Sequence, residues 1–205
     1  MATQNERRRL TYQKLVDSAR KLFAKTGYNS TSIDQIVAEC NVAKGTYYQH
    51  FKCKLDILIA IERIDHVDMT LKTLDAIKNG AQVLPQLKRY LQSLCAWFEK
   101  HKNIAEAVIL SRISSKSSLS DEDDYHLSGR YFIKTLIEAG QKQKQIRRDI
   151  PSVALTIAIG GMIAISVLSW SKNPEKGSLW PMMETGLTLF LQGAQCRSST
   201  QGKRS

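Results

Sequence analysis

The sequence predicts an all-α protein, with an N-terminal three-helix helix-turn-helix domain followed by a larger helical C-terminal domain. Three observations predict it. Apolar residues recur at helical spacing through most of the chain, and no segment alternates apolar and polar as a half-buried strand does. Polar, turn-forming breaks such as SKNPEKGS separate the periodic runs. Residues 31–54, TSIDQIVAECNVAKGTYYQHFKCK, read as a capped short helix, a tight turn and a second short helix with polar and aromatic residues facing out.

In the first helix, Leu15, Val16, Ala19, Leu22 and Phe23 form one apolar face. Gly27 stands just past it, where a positive-φ cap is wanted. Arg7, Arg8 and Arg9 precede the helix, either as a frayed terminus or as an arm reaching phosphates or a minor groove. Thr31 is the expected N-cap of the second helix, with Asp34 as its capping-box partner. Ile33, Ile36 and Val37 give that helix its buried side, and Asn41 tolerates the positive φ of the turn.

The third helix is expected over 43–49, two turns long. Lys44, Gly45, Tyr48 and Gln49 share one arc with Thr46 at its edge, while Ala43 and Tyr47 lie opposite and Phe51 follows as an anchor. A helix this short is unstable alone and must be held by its neighbours, which is how a helix-turn-helix offers a recognition helix to a major groove. Gly45 costs roughly 1 kcal/mol relative to alanine inside a helix, a cost that a close approach of a partner to the backbone explains.

The body continues in helices over about 55–78, 84–102 and 104–114. SSKSSLSDEDD at 114–124 is a polar break, read as a mobile loop. Helices over about 123–143, 152–171 and 179–195 follow, with Pro151 at a favoured helix start. Residues 153–170, VALTIAIGGMIAISVLSW, are uncharged and long enough for a membrane span, with Lys142, Lys144, Arg147 and Arg148 upstream. A helix apolar all round is equally suited to burial between protein helices. Gly160, Gly161 and Ala164 permit close helix approach, and Leu187, Leu189, Phe190 and Leu191 offer a matching apolar surface.

The chain has 205 residues and a formal net charge of +11, which favours a polyanionic partner. Positive charge is densest at the start, with ten Lys/Arg against five Asp/Glu in residues 1–60. Cys40, Cys53, Cys95 and Cys196 show no C-x-x-C pair and no histidine at zinc spacing, so a metal site, a cofactor site or a disulfide framework is not expected. Free thiols and the lack of a secretion-signal pattern place the chain in the cytoplasm. Cys40 and Cys53 flank the third helix, where ordinary burial competes with thiol sensing. The four histidines are scattered, no nucleophile–base spacing or phosphate loop is visible, and catalysis is not expected.

Residues 10–58 resemble the DNA-binding domain of the TetR family of bacterial regulators. The resemblance rests on Ala19, Leu22, Phe23, Gly27, Tyr28, Thr31, Ser32, Ile33, Ile36, Val42, Lys44, Gly45, Thr46, Tyr48, His50, Phe51, Lys54 and Leu58, above all on KGTYYQHFKCK. It implies that Thr31 and Ser32 contact phosphates, that Lys44, Gly45 and Thr46 enter the major groove, and that Tyr48, His50 and Lys54 clamp phosphates, with Gln49 a further base reader. Cys40-Asn41, Ala43, Tyr47 and Cys53 depart from the common pattern, and Ala43 removes a helix cap.

The resemblance further implies a DNA-binding domain over 1–54, a ligand-binding and dimerisation domain over 55–196 and a disordered basic tail over 197–205. The last two helices then pair with a second copy, and the homodimer acts on a pseudo-palindromic site in double-stranded DNA, most often as a repressor. An effector pocket is expected in 60–145, with His66, Met69, Trp97, Phe98, His101, Tyr125, Tyr131 and Phe132 as its candidates and a small apolar or aromatic molecule as its ligand. The competing reading is a membrane-attached helical interaction protein with 153–170 as its span.

Overall fold

A computed structural model of the chain describes residues 3–114 and 129–194, nine α-helices and one 3-10 turn with no extended strand among them. The helices are α1 (Gln4–Thr26), α2 (Ile33–Glu39), α3 (Lys44–Tyr48), α4 (Lys54–Lys78), α5 (Val83–Lys100), α6 (Lys102–Ser114), α7 (Gly129–Lys142), α8 (Ser152–Ser171) and α9 (Trp180–Ala194), with the turn at Pro174–Lys176. Tyr125, Cys196, the tail at 197–205 and nearly all of the expected loop at 114–124 lie outside the described residues. The described chain divides into two compact units, residues 3–68 with 97–114 and residues 69–96 with 129–194, so α4 and α5 each contribute to both. This division differs from a boundary at residue 54, because the first half of α4 and all of α6 share the first unit with α1–α3.

The first unit begins with a capping box. The Thr3 hydroxyl accepts from the Glu6 amide while Glu6 accepts from the Thr3 amide, so α1 starts ahead of Arg7–Arg9. The three arginines are therefore exposed helical residues, not a frayed terminus. Gly27 ends α1 at φ 83°, and its amide donates to the Phe23 carbonyl. Ser32, not Thr31, caps α2, and Gln35 rather than Asp34 completes the box. Asn41 adopts φ 53° in the following turn, as its side chain allows. Asp56 holds the start of α4 by accepting from the amides of Lys52 and Cys53 at 2.7 and 3.1 Å. The core of this unit is Leu15, Val16, Ala19, Phe23, Ile36, Tyr47, Phe51, Ile57, Leu58 and Ile61. Burial of each Val, Leu, Ile or Phe among them contributes roughly 1.5–3 kcal/mol.

In the second unit, α8 packs against both α7 and α9. The glutamines of the turn after α7 cap α5, with Gln143 and Gln145 accepting from the Val83 and Leu84 amides at 3.1 Å. Arg148 closes α7 by donating to the carbonyls of Gln141 and Lys142, and Arg147 pairs with Asp149 and donates to the Gly193 carbonyl. Half of the basic turn is thus fastened to backbone. One face of α8, through Leu155, Ile159, Ile163, Val167 and Trp170, is buried. The other exposes Val153, Ile157 and Ile165, and α9 exposes Met182 and Leu189. With a mean hydropathy of 2.1 over its apolar window, α8 is long and apolar enough to cross a membrane, and only 33% of that window is buried.

Candidate nucleic-acid interface

The five-residue α3 carries no side-chain cap at Ala43 and survives through one buried residue. Tyr47 is fully buried, its ring lies 5.5 Å from that of Phe51, and its hydroxyl donates to the Cys53 carbonyl at 3.0 Å. Burial, with the nearby Cys53 and Asp56, pushes that hydroxyl far above the ordinary tyrosine range, so it stays a donor. Tyr12 stacks on Phe51 at 5.1 Å and meets His50 edge-on at 6.0 Å, tying α1 to the end of α3. Tyr47 therefore supplies a hydrogen bond that an aliphatic residue in its place cannot.

With Tyr47 turned inward, Lys44, Gly45, Tyr48 and Gln49 are exposed and Thr46 is half-buried. A Cβ built on Gly45 would meet nothing within 4 Å, so packing among the described residues does not require glycine there. Lys44 donates to the carboxylate of Asp34 at 2.7 Å, a hydrogen bond and charge that hold its ammonium above the usual lysine range. His50 is half-buried, and its imidazole is held below its ordinary range by burial and then by the charge of Arg8. Ser32 is exposed at the start of α2.

Two expected phosphate contacts are placed otherwise. Thr31 is 2% exposed, its hydroxyl donates to the Gly27 carbonyl at 2.8 Å and it shares a hydrogen bond with Thr26. Lys54 donates to the Tyr28 and Thr31 carbonyls, both at 2.7 Å, and lies over the Tyr28 ring at 4.3 Å. Both residues brace the turn between α1 and α2, so neither offers an open donor to phosphate. The sequence pattern could not separate them from groove-facing residues, because a motif reports which residue is present and not where its donor points. The half-buried Cys40 donates its thiol to the Ile36 carbonyl, and no disulfide joins Cys40, Cys53 or Cys95 among the described residues.

Three of the eight expected effector residues converge. His66, Trp97 and His101 form a row of mutually tilted rings in the first unit, with neighbouring centroids 5.1 and 4.7 Å apart. Four charged residues that the sequence reading missed surround them. Asp65 binds Arg20 at 2.5 Å and accepts from the Trp97 indole at 2.9 Å. Glu62 pairs with Arg112 and lies 3.0 Å from His66 Nδ1. Burial pushes the Glu62 carboxyl up, but Arg112, His66 and Arg63 together hold it below the ordinary range. His66 Nε2 is buried without a hydrogen-bond partner. Phe98 is plain core, while Met69, Tyr131 and Phe132 belong to the second unit, where Phe132 packs on Tyr90 at 4.6 Å. The only signal in the sequence for the charged cluster was the i, i+3 and i+4 spacing of Glu62, Asp65 and His66.

Known proteins resemble this chain in sequence and in fold. Residues 15–61 match the family described as bacterial regulatory proteins, tetR family. The chain is 36% identical over 104 residues to the transposon Tn10 TetC protein of Escherichia coli, a match covering 49% of this chain and 51% of that one, about half the relative's length. It is 23% identical over 189 residues to the fatty acid metabolism regulator protein of Bacillus subtilis, covering 92% and 97% of the two chains. Among solved structures, Thermus thermophilus FadR in complex with lauroyl-CoA superposes with a TM-score of 0.76 at 16% identity, covering 94% of this chain and 100% of that one. FadR from Bacillus subtilis in complex with stearoyl-CoA gives a TM-score of 0.68 at 23% identity, covering 89% and 98%.

Proposed function

We propose, from the premise that the chain belongs to the TetR family of bacterial regulatory proteins, that it is a cytoplasmic homodimeric repressor released from DNA by a fatty acyl thioester. The observation that carries the reading is the exposed arc of α3, Lys44, Gly45, Tyr48 and Gln49, presented by a fully buried Tyr47. Lysine at a groove can donate to guanine O6 and N7, and Thr46 can touch a thymine methyl. Tyr48, His50 and Ser32 supply phosphate contacts beside them, and Arg7–Arg9 extend the positive surface along α1.

Dimerisation supplies the second recognition helix, which one two-turn helix needs for specificity. The bare apolar face of α8 and α9 supports it. Gly160 and Gly161 have nothing within 4 Å of a built Cβ, so their smallness serves no packing among the described residues. The same face suits the competing membrane reading, but the likeness to relatives over nearly the whole chain favours a protein partner. The acyl-thioester class is supported by the fatty acid regulator that aligns along 92% of the chain and by the two acyl-CoA complexes of the same fold. Release then follows if the effector binds the DNA-incompetent arrangement more tightly than the competent one.

Selection of duplexes from a randomised pool by the purified protein, followed by sequencing, tests this directly. The expected result is a pseudo-palindrome bound by a dimer and released by lauroyl-CoA. Equal binding to selected and unselected duplexes overturns the DNA reading. A selected duplex that no acyl-CoA displaces overturns the effector class alone.

A further inference from the structure

The recognition lysine is already occupied in the free protein. Lys44 opens α3 on the exposed arc, and its ammonium lies 2.7 Å from the carboxylate of Asp34 in the first turn of α2. Both side chains are more than half exposed, at 52% and 69%. Asp34 has no capping duty, because Ser32 and Gln35 form the box that starts α2. A carboxylate is thus kept on the face that meets a polyanion, where repulsion from phosphates weakens binding to every duplex.

We infer that Asp34 is a specificity-determining residue that acts through Lys44, an inference that rests on the DNA-binding reading above. On a duplex without a matching base, Lys44 stays paired and contributes little to counterion release. Where guanine presents O6 and N7 beside it, two directed acceptors replace the one carboxylate. Asp34 therefore lowers affinity for all sites, and only the matched site restores it. Removing the carboxylate frees a lysine to serve any phosphate.

The test compares Asp34→Asn with wild type on two probes across a KCl series, the duplex recovered from a randomised pool by the wild-type protein and a scrambled duplex of the same composition. Affinity for the scrambled duplex is expected to rise about 3–10-fold, and its salt dependence to steepen by about one phosphate contact, a slope change of roughly 0.9. Affinity for the recovered duplex rises less, so the ratio of the two falls about 3-fold or more. Asp34→Glu keeps the carboxylate and restores most of the ratio. Glu39→Gln removes the same charge from the other end of α2, where the carboxylate faces Lys21, and leaves the ratio unchanged. In a Lys44→Ala background, Asp34→Asn no longer alters the ratio. Equal gains on both probes, or the same change with Lys44 absent, overturn the inference in favour of a general charge effect, and identical binding by variant and wild type overturns it outright. Wild-type protein that prefers neither probe sinks the DNA-binding reading itself, and this inference with it.

Discussion

The exposed faces of α3 and α8 are both bare in a single chain, and they are built from opposite materials. On α3, five residues turn lysine, glycine, tyrosine and the following glutamine outward from one buried ring. On α8, twenty residues bury one apolar side against α7 and α9 and leave a second apolar side, Val153, Ile157 and Ile165, uncovered. The α3 surface is costly to bury except against hydrogen-bonding anions. The α8 surface is costly to leave in water, at roughly 25 cal/mol per Å² of apolar area. One chain thus displays a polar, basic surface and an uncovered apolar one, which the proposed function assigns to nucleic acid and to a second copy.

The largest effect is expected from putting charge on the apolar face. Ile157→Asp combined with Ile165→Asp places two carboxylates where side chains are 57% and 64% exposed, so the single chain keeps its helices. Light scattering should report a monomer. Affinity for the recovered duplex should fall about a thousandfold, roughly 4 kcal/mol, because two linked half-sites become two independent ones. A monomer that binds as tightly as wild type would show that the two surfaces work independently. Wild-type protein that partitions into membranes and needs detergent would instead make α8 a span.

Next come two adjacent tyrosines on opposite sides of α3. Tyr47→Ala empties a fully buried site and should destabilise the protein by about 3–4 kcal/mol in chemical denaturation. Tyr48→Ala, at a side chain 50% exposed, should leave stability within about 0.5 kcal/mol of wild type and weaken DNA binding by about 1 kcal/mol. Equal losses of stability in the two variants would mean that the inward and outward sides of α3 are assigned wrongly.

The charged cluster of the first unit ranks third. Asp65→Asn removes the partner of Arg20 and weakens the acceptor of the Trp97 indole. A loss of about 2 kcal/mol is expected, reduced because Arg20 remains a third exposed and can regain water. Unchanged stability would make the cluster dispensable for the fold.

The ease of reading these regions from sequence follows their chemistry. Helices α3, α4 and α8 were legible within a residue or two because periodicity and length report on local structure. The uncapped start of α3 at Ala43 and the positive φ of Asn41 were also legible, since both depend on one residue type. Thr31 and Lys54 were misplaced because the donors they share with phosphate-binding residues serve carbonyls 4 to 26 positions away. The cluster of Arg20, Glu62, Asp65 and Arg112 escaped notice for the same reason, as its ion pairs join residues 45 and 50 positions apart. Motifs identify residue types, and only the folded chain decides which donors remain free.

The smallest expected effect concerns His50, half-buried between the core of the first unit and the exposed arc of α3. Its imidazole is held below the ordinary range by burial and by Arg8, so in the free protein it is neutral at pH 7. Protonation in the free state costs stability, a contribution fully present above roughly pH 6.5 and lost as pH falls through the depressed folded value. A phosphate oxygen brought beside the ring favours the imidazolium, so the pKa rises on binding and a proton is taken up. Affinity should therefore be flat above about pH 8 and tighten about 3-fold as pH falls toward 6, with circular dichroism verifying that the protein stays folded. His50→Gln should abolish that dependence while binding like wild type at pH 8. If the variant keeps the pH slope, the titrating group lies elsewhere, and His50 belongs with Tyr12 and Phe51 to the packing behind α3.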